Sequence, residues 1–313
     1  MIIRAAKRGL RRLFPTAFRA RDASTLARRR RTLEQILANP APPNLRGMAE
    51  KFSWLQANAP HRTFDYGYDP FSVWSRGVER ARNLLSLPGL HASDADILEV
   101  ACGDGMVGRL LSDYGHNVRL TDLDDWRDGR ARAVRFEKAD VCDRLPFSND
   151  SFDLVYSYNA FEHFPAPAPA FAEMLRVCKP DALIYLEFGP LYTSPWGLHA
   201  DRLLMPYPQF LFTTETIAER LEQLGIYDLG KERSDLQYVN EWRVSAFRAL
   251  WRRAGCTIVD ERHYVDDDYL DVILRFPACF QGRGLTYDDV TIGGLFVTLR
   301  KSMVPAAVDV HVS

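Results

Sequence analysis

Short apolar runs alternate with helix-like amphipathic stretches through the middle of the chain. Four runs between residues 93 and 189 have the length and composition of buried strands, and two stretches between them carry apolar residues at helical spacing. The candidate strands are Ile97–Ala101, Val118–Thr121, Phe152–Ser157 and Ala182–Phe188, and the candidate helices are Val107–Tyr114 and Ala168–Val177. This alternation favours a parallel sheet that is covered by helices on both faces.

The flanks of this region have different patterns. Residues 1–90 place apolar side chains at helical spacing among basic residues and predict a mainly helical extension. Residues 190–250 begin with aromatic-rich sequence that prolines interrupt. The remaining elements that we expect are helices at Glu215–Leu224 and Glu241–Ala254 and strands at Thr257–Tyr264 and Gly294–Lys301. We therefore expect an α/β domain over residues 91–313, with a segment inserted at about 190–250.

The formal charge of −1 conceals two oppositely charged parts. Residues 1–31 hold eleven of the 40 Lys and Arg and one of the 41 acids, so this basic arm carries +10 and the remainder −11. The arm could contact an anionic membrane surface peripherally, bind nucleic acid, or pack on the acidic body. We favour packing. The sequence contains no recognisable nucleic-acid module, so we expect no base-specific binding.

Composition and cysteine usage limit the class of protein and its location. At 47% hydrophobic and 26% charged residues, the chain has the composition of a folded globular protein. The five cysteines are scattered without a C-x-x-C pair, which predicts neither a disulfide framework nor a zinc site and indicates a reducing compartment. The N-terminus has no apolar signal core, so we expect a cytoplasmic protein, although an Arg-rich start also fits a mitochondrial transit peptide.

A glycine-rich turn follows the first candidate strand of the central region. Gly103, Gly105 and Gly108 match G-x-G-x-x-G between this strand and a helix, a pattern that fits a dinucleotide-binding loop as well as other nucleotide loops. Asp122 ends the next strand, where a carboxylate could hold a ribose in either case. The glycines alone leave both ligand classes open, and NAD remains an alternative.

Four further motifs follow the glycine turn in a fixed order. They are Val118–Asp122, Phe136–Val141, Leu145–Ser157 with Asn159–Phe164, and Met174–Ala182. Together with the turn, this set resembles the class I S-adenosylmethionine (SAM) dependent methyltransferases of the ubiquinone/menaquinone-biosynthesis-like branch (methyltransferase type 11). The resemblance is dense over residues 95–190. It implies a Rossmann-like, seven-stranded, mostly parallel sheet, with residues 1–90 as a helical extension and 190–250 as a substrate lid.

The resemblance also implies SAM as the cofactor and a set of residues that bind it. These residues are Glu99, Gly103, Asp104, Gly105, Asp122, Leu123, Asp140, Val141 and Asn159. In this family's pattern the two glycines line the methionine part, Asp122 accepts hydrogen bonds from the ribose hydroxyls and Asp140 meets the adenine amino group. Asn159 faces the methionine end. Glu99 could instead be a structural partner of the turn's amides.

Two positions depart from the family pattern. Ala101 stands where the first glycine is usual, and Asp181-Ala182 replaces a Gly-Gly pair. Alanine can keep the turn if its φ is negative, so we expect a negative φ at Ala101 and retained cofactor binding.

The chemistry beyond the cofactor depends on the acceptor. Methyl transfer to a hydroxyl needs alignment and usually a base, and histidine is the commonest base. His163, after the fourth strand, and His199, in the inserted segment, are the candidate catalytic residues, although His163 also fits a structural role. Glu162 with these histidines could be imagined as a metal site, but the spacing lacks a dedicated pattern and we expect no metal.

We expect an O-methyltransferase that acts on a small molecule, most simply a hydroxyl of a sugar or natural product. Methylation of carbon or nitrogen on a quinone-like or amine acceptor is the enzymatic alternative. A non-catalytic SAM-fold binding subunit is the alternative from another class, and the carboxylates Glu99, Asp122 and Asp140 argue against it. The sequence indicates no oligomeric state.

Overall fold

A seven-stranded sheet forms the centre of the computed structural model, which describes residues 23–60, 67–88, 90, 94–200, 203–225 and 238–302. The strands are β1 Asp96–Val100, β2 Asn117–Asp122, β3 Arg135–Lys138, β4 Phe152–Tyr158, β5 Cys178–Phe188, β6 Thr257–Val265 and β7 Ile292–Arg300. Their order across the sheet is β3-β2-β1-β4-β5-β7-β6, and only β7 runs antiparallel to its neighbours. The predicted Rossmann-like, mostly parallel, seven-stranded sheet is confirmed.

The four helices whose bounds the sequence predicts, at Val107–Tyr114, Ala168–Val177, Glu215–Leu224 and Glu241–Ala254, begin and end within three residues of those bounds. In chain order the α-helices are α1 Ala23–Ala38, α2 Phe52–Asn58, α3 Pro70–Leu85, α4 Met106–Tyr114, α5 Pro167–Val177, α6 Pro208–Leu211, α7 Thr214–Leu224, α8 Val244–Arg253, α9 Asp271–Arg275, α10 Pro277–Phe280 and α11 Tyr287–Thr291. Helix α4 lies between two left-handed glycines, Gly105 at its N-cap and Gly115 at its C-cap. Glycine adopts this conformation without steric cost, so both ends of α4 are fixed by sequence.

Each face of the sheet has its own apolar core. On one face, α3 and α4 contribute Leu84 and Leu111 to a cluster with the buried side of β1 and β2. On the other face, Phe171 of α5 and Trp251 of α8 pack against β4, β5 and β7. Helices therefore cover both faces, as the strand–helix alternation predicts.

A third core joins the start of the chain to the inserted segment. Leu33 and Leu37 of α1 and Phe52 of α2 are buried in one cluster with Phe210 and Phe212 from the segment after β5. The rings of Phe52 and Phe212 are 5.0 Å apart between centroids. The apolar face of α1 is covered mainly by α10 and α11, which lie between β6 and β7, and Phe52 of α2 contacts the insertion. An amphipathic helix must bury its apolar stripe against such a partner.

Only the end of the basic arm falls within the described residues. Arg29 forms an ion pair with Asp271 at 2.7 Å, and Arg30 pairs with Glu34 at 2.9 Å and lies over the ring of Tyr287. Residues 1–22, which hold most of the arm's charge, lie outside the described residues. No helix in the described ranges is long and apolar enough to cross a membrane.

The turn after β1 corrects one sequence expectation. Ala101 has a φ of +54°, so the expected negative φ is wrong and alanine adopts the left-handed conformation that the family's glycine would provide. The turn is held by hydrogen bonds in which Cys102 N–H donates to Thr121 O (3.1 Å) and Gly105 N–H donates to Cys102 O (2.9 Å). Asp181, at the second departure from the pattern, also has a positive φ of +63°.

Candidate functional site

A cleft of about 1230 Å³ opens at the carboxyl ends of β1, β2 and β4. Ligands of open α/β sheets collect at this edge, where loops from successive strands meet. A single small-molecule site typically measures 300–1,000 Å³, so this cleft has room for two ligands side by side. Gly103 faces the open space, because a Cβ added at this position would have no atom within 4 Å.

Asp122 and Gly103 are joined at one end of the cleft, which we call the glycine-loop end. The Gly103 N–H donates to Asp122 Oδ2 at 2.9 Å and the Leu123 N–H donates to Asp122 Oδ1 at 2.7 Å. Burial raises the pKa of Asp122 above its usual range, while these two amides favour the charged form. A carboxylate accepts about four hydrogen bonds, so Asp122 keeps capacity for a diol.

Glu99 lies at the end of β1 beneath the glycine turn. Its Oε2 accepts a hydrogen bond from the Gly108 N–H at 3.1 Å, and Glu99 also lines the cleft. Burial raises the pKa of Glu99 to about 8. Both interpretations of this residue, as a partner of the turn's amides and as a cleft residue, therefore correspond to contacts in the structure.

The other sequence-predicted cofactor residues have distinct positions. Asp104 accepts from the Met106 N–H at 2.9 Å and pairs with Arg76 at 3.0 Å, whereas Asp140 accepts from the Cys142 N–H at 2.8 Å. Leu123, Val141 and Asn159 line the cleft with these two acids.

Gly105 does not line the cleft. Its missing Cβ faces Arg127, Leu120 and Ala131 at 3.1–3.2 Å, and it serves as the left-handed N-cap of α4.

Two histidines and a glutamate lie together at the opposite end, which we call the acceptor end. His163 follows β4 and His199 comes from the inserted segment, and their ring centroids are 4.7 Å apart. Glu162 Oε1 lies 3.8 Å from His163 Nε2 and accepts from the Gly189 N–H at 3.1 Å. Residues 36 positions apart in sequence thus line one wall of the cleft.

Electrostatics at the acceptor end favour neutral groups. Burial lowers the pKa of His199 to about 3 and raises that of Glu162 to about 8. His199 Nε2 lies 2.6 Å from Pro190 O, a carbonyl that can only accept, so this nitrogen carries the proton and Nδ1 carries the lone pair. His163 Nδ1 contacts Tyr238 O at 2.6 Å in the same way.

Sequence reasoning missed several polar residues that line the cleft, among them Arg80, Ser194 and Asp266. Arg80 comes from α3, Ser194 from the insertion and Asp266 from the loop after β6. Ser194 Oγ is buried and has no hydrogen-bond partner among the described residues, so it is available to a ligand. None of the three belongs to a local motif, and only the fold brings them to the cleft.

The aromatic residues of the insertion divide between cleft and core. Trp196 lines the acceptor end, while Tyr207, Phe210 and Phe212 are buried in the core shared with α1 and α2. At the other side Tyr68 lines the cleft, and Tyr66 lies outside the described residues.

The residues of the cleft fit SAM. Gly103 presents open backbone beside the acceptor carboxylate of Asp122, which suits a ribose, and Asp140 lies along the same edge. The cofactor carries a sulfonium charge, and the carboxylates of Asp104 and Asp140 in the lining suit a cation.

Comparison with known proteins identifies the class. Residues 98–186 match the family model described as a methyltransferase domain. An uncharacterized methyltransferase of Mycobacterium leprae is 32% identical over 37% of this chain and 44% of its own length, so the chain spans less than half of that relative. A demethylmenaquinone methyltransferase of Beutenbergia cavernae is 27% identical over 57% of this chain and 78% of its own. A methyltransferase structure from Methanosarcina mazei has a TM-score of 0.46 at 18% identity, covering 70% of this chain and 99% of that one.

The sheet order and the matched segment define a class I methyltransferase domain. Its ordered motifs resemble those of the ubiquinone/menaquinone-biosynthesis-like branch, two demethylmenaquinone methyltransferases are among the similar proteins, and the cofactor of this class is SAM. The family and cofactor expected from the sequence are thereby confirmed.

Proposed function

We propose that this protein is a SAM-dependent methyltransferase that methylates a hydroxyl group of a small molecule. The observation that carries the proposal is one continuous cleft with two chemically different ends. Carboxylates and an open glycine backbone lie at the glycine-loop end, and Glu162, His163 and His199 lie at the acceptor end. A donor and an acceptor bound in these two places would be neighbours, which is the main requirement for methyl transfer.

The reaction balances without a redox partner. The acceptor oxygen forms a bond to the methyl carbon, the carbon–sulfur bond breaks and its electron pair stays on sulfur, and the hydroxyl proton passes to water in the cleft, so the products are the methyl ether, S-adenosylhomocysteine and a released proton. Bound SAM supplies the activated methyl group. Asp122 and Asp140 would orient the ribose and adenine, and Ser194 would donate or accept a hydrogen bond at the acceptor.

The two histidines are proposed as the catalytic residues. Both histidines line the cleft, and one ring nitrogen of each donates a hydrogen bond to a backbone carbonyl. This hydrogen bond fixes the orientation of the ring and leaves the lone pair on the other nitrogen. With a pKa near 3, His199 holds a proton weakly and is a poor general base by itself. The imidazoles therefore act as lone-pair donors that position and polarise the acceptor hydroxyl.

A quinone-like acceptor methylated on carbon is the second candidate. The observation that favours it is the similarity to the demethylmenaquinone methyltransferase of Beutenbergia cavernae. The glycine-loop end would be used in the same way, and the two candidates differ only in the atom that receives the methyl group.

Two experiments test the proposal: first calorimetry with SAM, and then mass spectrometry of reaction products. We expect the folded full chain to bind SAM, and the absence of binding up to about 1 mM, the top of the usual range for enzyme substrates, would overturn it. Incubation with SAM labelled in its methyl group and a metabolite extract should then give labelled products. Fragmentation that places the label on oxygen supports the first candidate, and a label on a quinone carbon supports the second.

A further inference from the structure

Glu162, His163 and His199 form a compact donor cluster at the acceptor end. One potential ligand atom from each side chain lies within 4.8 Å of the other two. Two ligands at about 2.1 Å from a tetrahedral ion are about 3.4 Å apart, so the side chains need to approach by about 1.4 Å at most. Rotation about the side-chain bonds covers that difference.

Hydrogen bonds outside the cluster orient all three side chains. His163 Nδ1–H donates to Tyr238 O and His199 Nε2–H donates to Pro190 O, both at 2.6 Å. Metal-binding histidines characteristically donate their other ring N–H to a backbone carbonyl or carboxylate in this way. The Gly189 N–H fixes one oxygen of Glu162 at 3.1 Å.

The second oxygen of Glu162 is the unexplained group. Glu162 is only 1% exposed, and within the described ranges its Oε2 is buried without a hydrogen-bond partner. A buried carboxyl oxygen without a partner is costly in either protonation state, and a metal ion that displaces the proton is one partner that such a buried group can take. The Glu162 carboxyl lies beside the two imidazoles, with Oε1 3.8 Å from His163 Nε2, and no described Lys or Arg donates a hydrogen bond to Oε2. A cation is the partner that fits this group.

We propose that Glu162, His163 and His199 bind a divalent transition-metal ion at the acceptor end of the cleft. The proposal departs from the expectation of no metal, which rested on sequence spacing alone. His199 lies 36 and 37 residues from His163 and Glu162 and belongs to the insertion, so the sequence could name the three side chains together but could not show that they meet.

The donor chemistry selects the kind of ion. Two imidazole nitrogens and one carboxylate suit Zn²⁺, Fe²⁺, Co²⁺ or Mn²⁺, whereas Mg²⁺ and Ca²⁺ prefer oxygen ligands. Three protein ligands leave at least one coordination position, and the cleft is the open side of the cluster.

The role of the ion rests on the proposed function. An acceptor hydroxyl oxygen bound at the open position would lose its proton more readily, because a Lewis acid lowers the pKa of a bound hydroxyl. The weak basicity of His199 is then no obstacle, since the imidazole binds the ion rather than the proton. A diol acceptor could bind through both oxygens.

Titration of metal-free full-length protein with ZnCl₂ and CoCl₂ tests the site directly. We expect one ion per chain by calorimetry and a visible Co²⁺ spectrum with nitrogen ligation. Glu162→Gln and His199→Gln should each weaken affinity by more than tenfold and change the spectrum, whereas His263→Gln, which removes an imidazole from an exposed Glu261 and Arg248 cluster, should change neither. Absence of binding, or affinity that both site variants leave unchanged, would overturn the proposal.

Two further measurements keep the outcomes separate. Wild type should gain thermal stability with ZnCl₂, and Glu162→Gln, which preserves the side-chain shape, should lose that gain even if His199→Gln does not fold. SAM binding measured without metal tests the proposed function alone. Metal binding without SAM binding would therefore support the site and overturn the methyltransferase proposal, and the reverse result would do the opposite.

Discussion

At the turn after β1, one residue adopts a conformation that its side chain disfavours. Ala101 has a φ of +54° at the start of a turn that the Cys102 and Gly105 N–H groups close with hydrogen bonds. The left-handed conformation costs an L-residue roughly 1 kcal/mol or more, and glycine avoids this cost while losing more chain entropy on folding.

Ala101→Gly should therefore stabilise the protein. We expect the free energy of unfolding to rise by about 0.5–1 kcal/mol, because relief of the left-handed conformation outweighs the entropy that glycine adds to the unfolded chain. Urea unfolding measures this change in the free energy of unfolding. Ala249→Gly, inside α8, is the matched control and should lower stability by about 1 kcal/mol. A loss of stability in both variants would contradict this account of the turn.

Asp122 is the residue on which proposed cofactor binding depends most. Asp122→Asn should weaken SAM affinity by more than tenfold, about 1.4 kcal/mol, because one acceptor oxygen becomes an amide donor facing the ribose and the Gly103 N–H. Calorimetry gives the affinity. Asp124→Asn removes the same charge two residues away, where the carboxylate pairs with Lys138, and should leave affinity nearly unchanged. Equal effects would indicate a general charge effect instead of a specific contact.

At the scale of elements, Glu99 links β1 to the first turn of α4 through the Gly108 N–H. Burial raises the pKa of this carboxyl from 4.5 to about 8. Between these pH values the folded protein holds the proton that the unfolded chain has released. The contribution of Glu99 to the free energy of unfolding therefore falls as pH rises through this window and stops falling above pH 8.

Glu99→Gln should remove this pH dependence, since the amide resembles the protonated acid. The quantity to compare is the free energy of unfolding of the variant minus that of wild type. We expect this difference to be larger at pH 8 than at pH 5 by more than about 1 kcal/mol. Thermal unfolding of both proteins at several pH values, without ligand, measures this pH dependence of stability. Glu137→Gln, on the exposed side of β3, is the control for a simple charge change. Parallel stability curves for wild type and Glu99→Gln would contradict a raised pKa.

The sequence predicted elements better than it predicted side-chain partners. Helix α4 was located within one residue, because an apolar period and flanking glycines fix it locally. The φ of Ala101 was wrong, because a motif position specifies a turn but not the backbone angle that the hydrogen bonds across β2 impose. Arg80 and Ser194 were missed because their place in the cleft depends on tertiary packing alone.

At the scale of the whole molecule, helices α1 and α2, the insertion and the segment between β6 and β7 are one packed unit. Leu33, Leu37 and Phe52 share a core with residues of the insertion that also supplies His199 to the cleft. A disturbance of α1 or α2 should therefore reach the acceptor end through this core, although none of the described residues before Gly67 lines the cleft.

Two N-terminal truncations distinguish the contribution of the basic arm from that of the packed unit. Deletion of residues 1–22 removes most of the arm's charge and no described contact, so we expect unchanged thermal stability and unchanged SAM affinity. Deletion of residues 1–38 also removes α1, exposing the apolar surface that Leu33 and Leu37 cover and breaking the Arg29–Asp271 pair. Loss of two buried leucines costs about 4–10 kcal/mol by large-to-small substitution data, enough to unfold the shared core.

The protein that lacks residues 1–38 should lose part of its cooperative thermal unfolding transition. Its affinity for a ligand at the acceptor end should fall more than its affinity for SAM. The reason is that Asp122 and Gly103 lie on the central sheet, whereas His199 lies on the insertion. Differential scanning calorimetry and SAM titration measure the two effects on the same samples. If removal of residues 1–22 alone abolished SAM binding, the basic arm would form part of the active site. If removal of residues 1–38 left the thermal transition unchanged, the shared core would not stabilise the insertion.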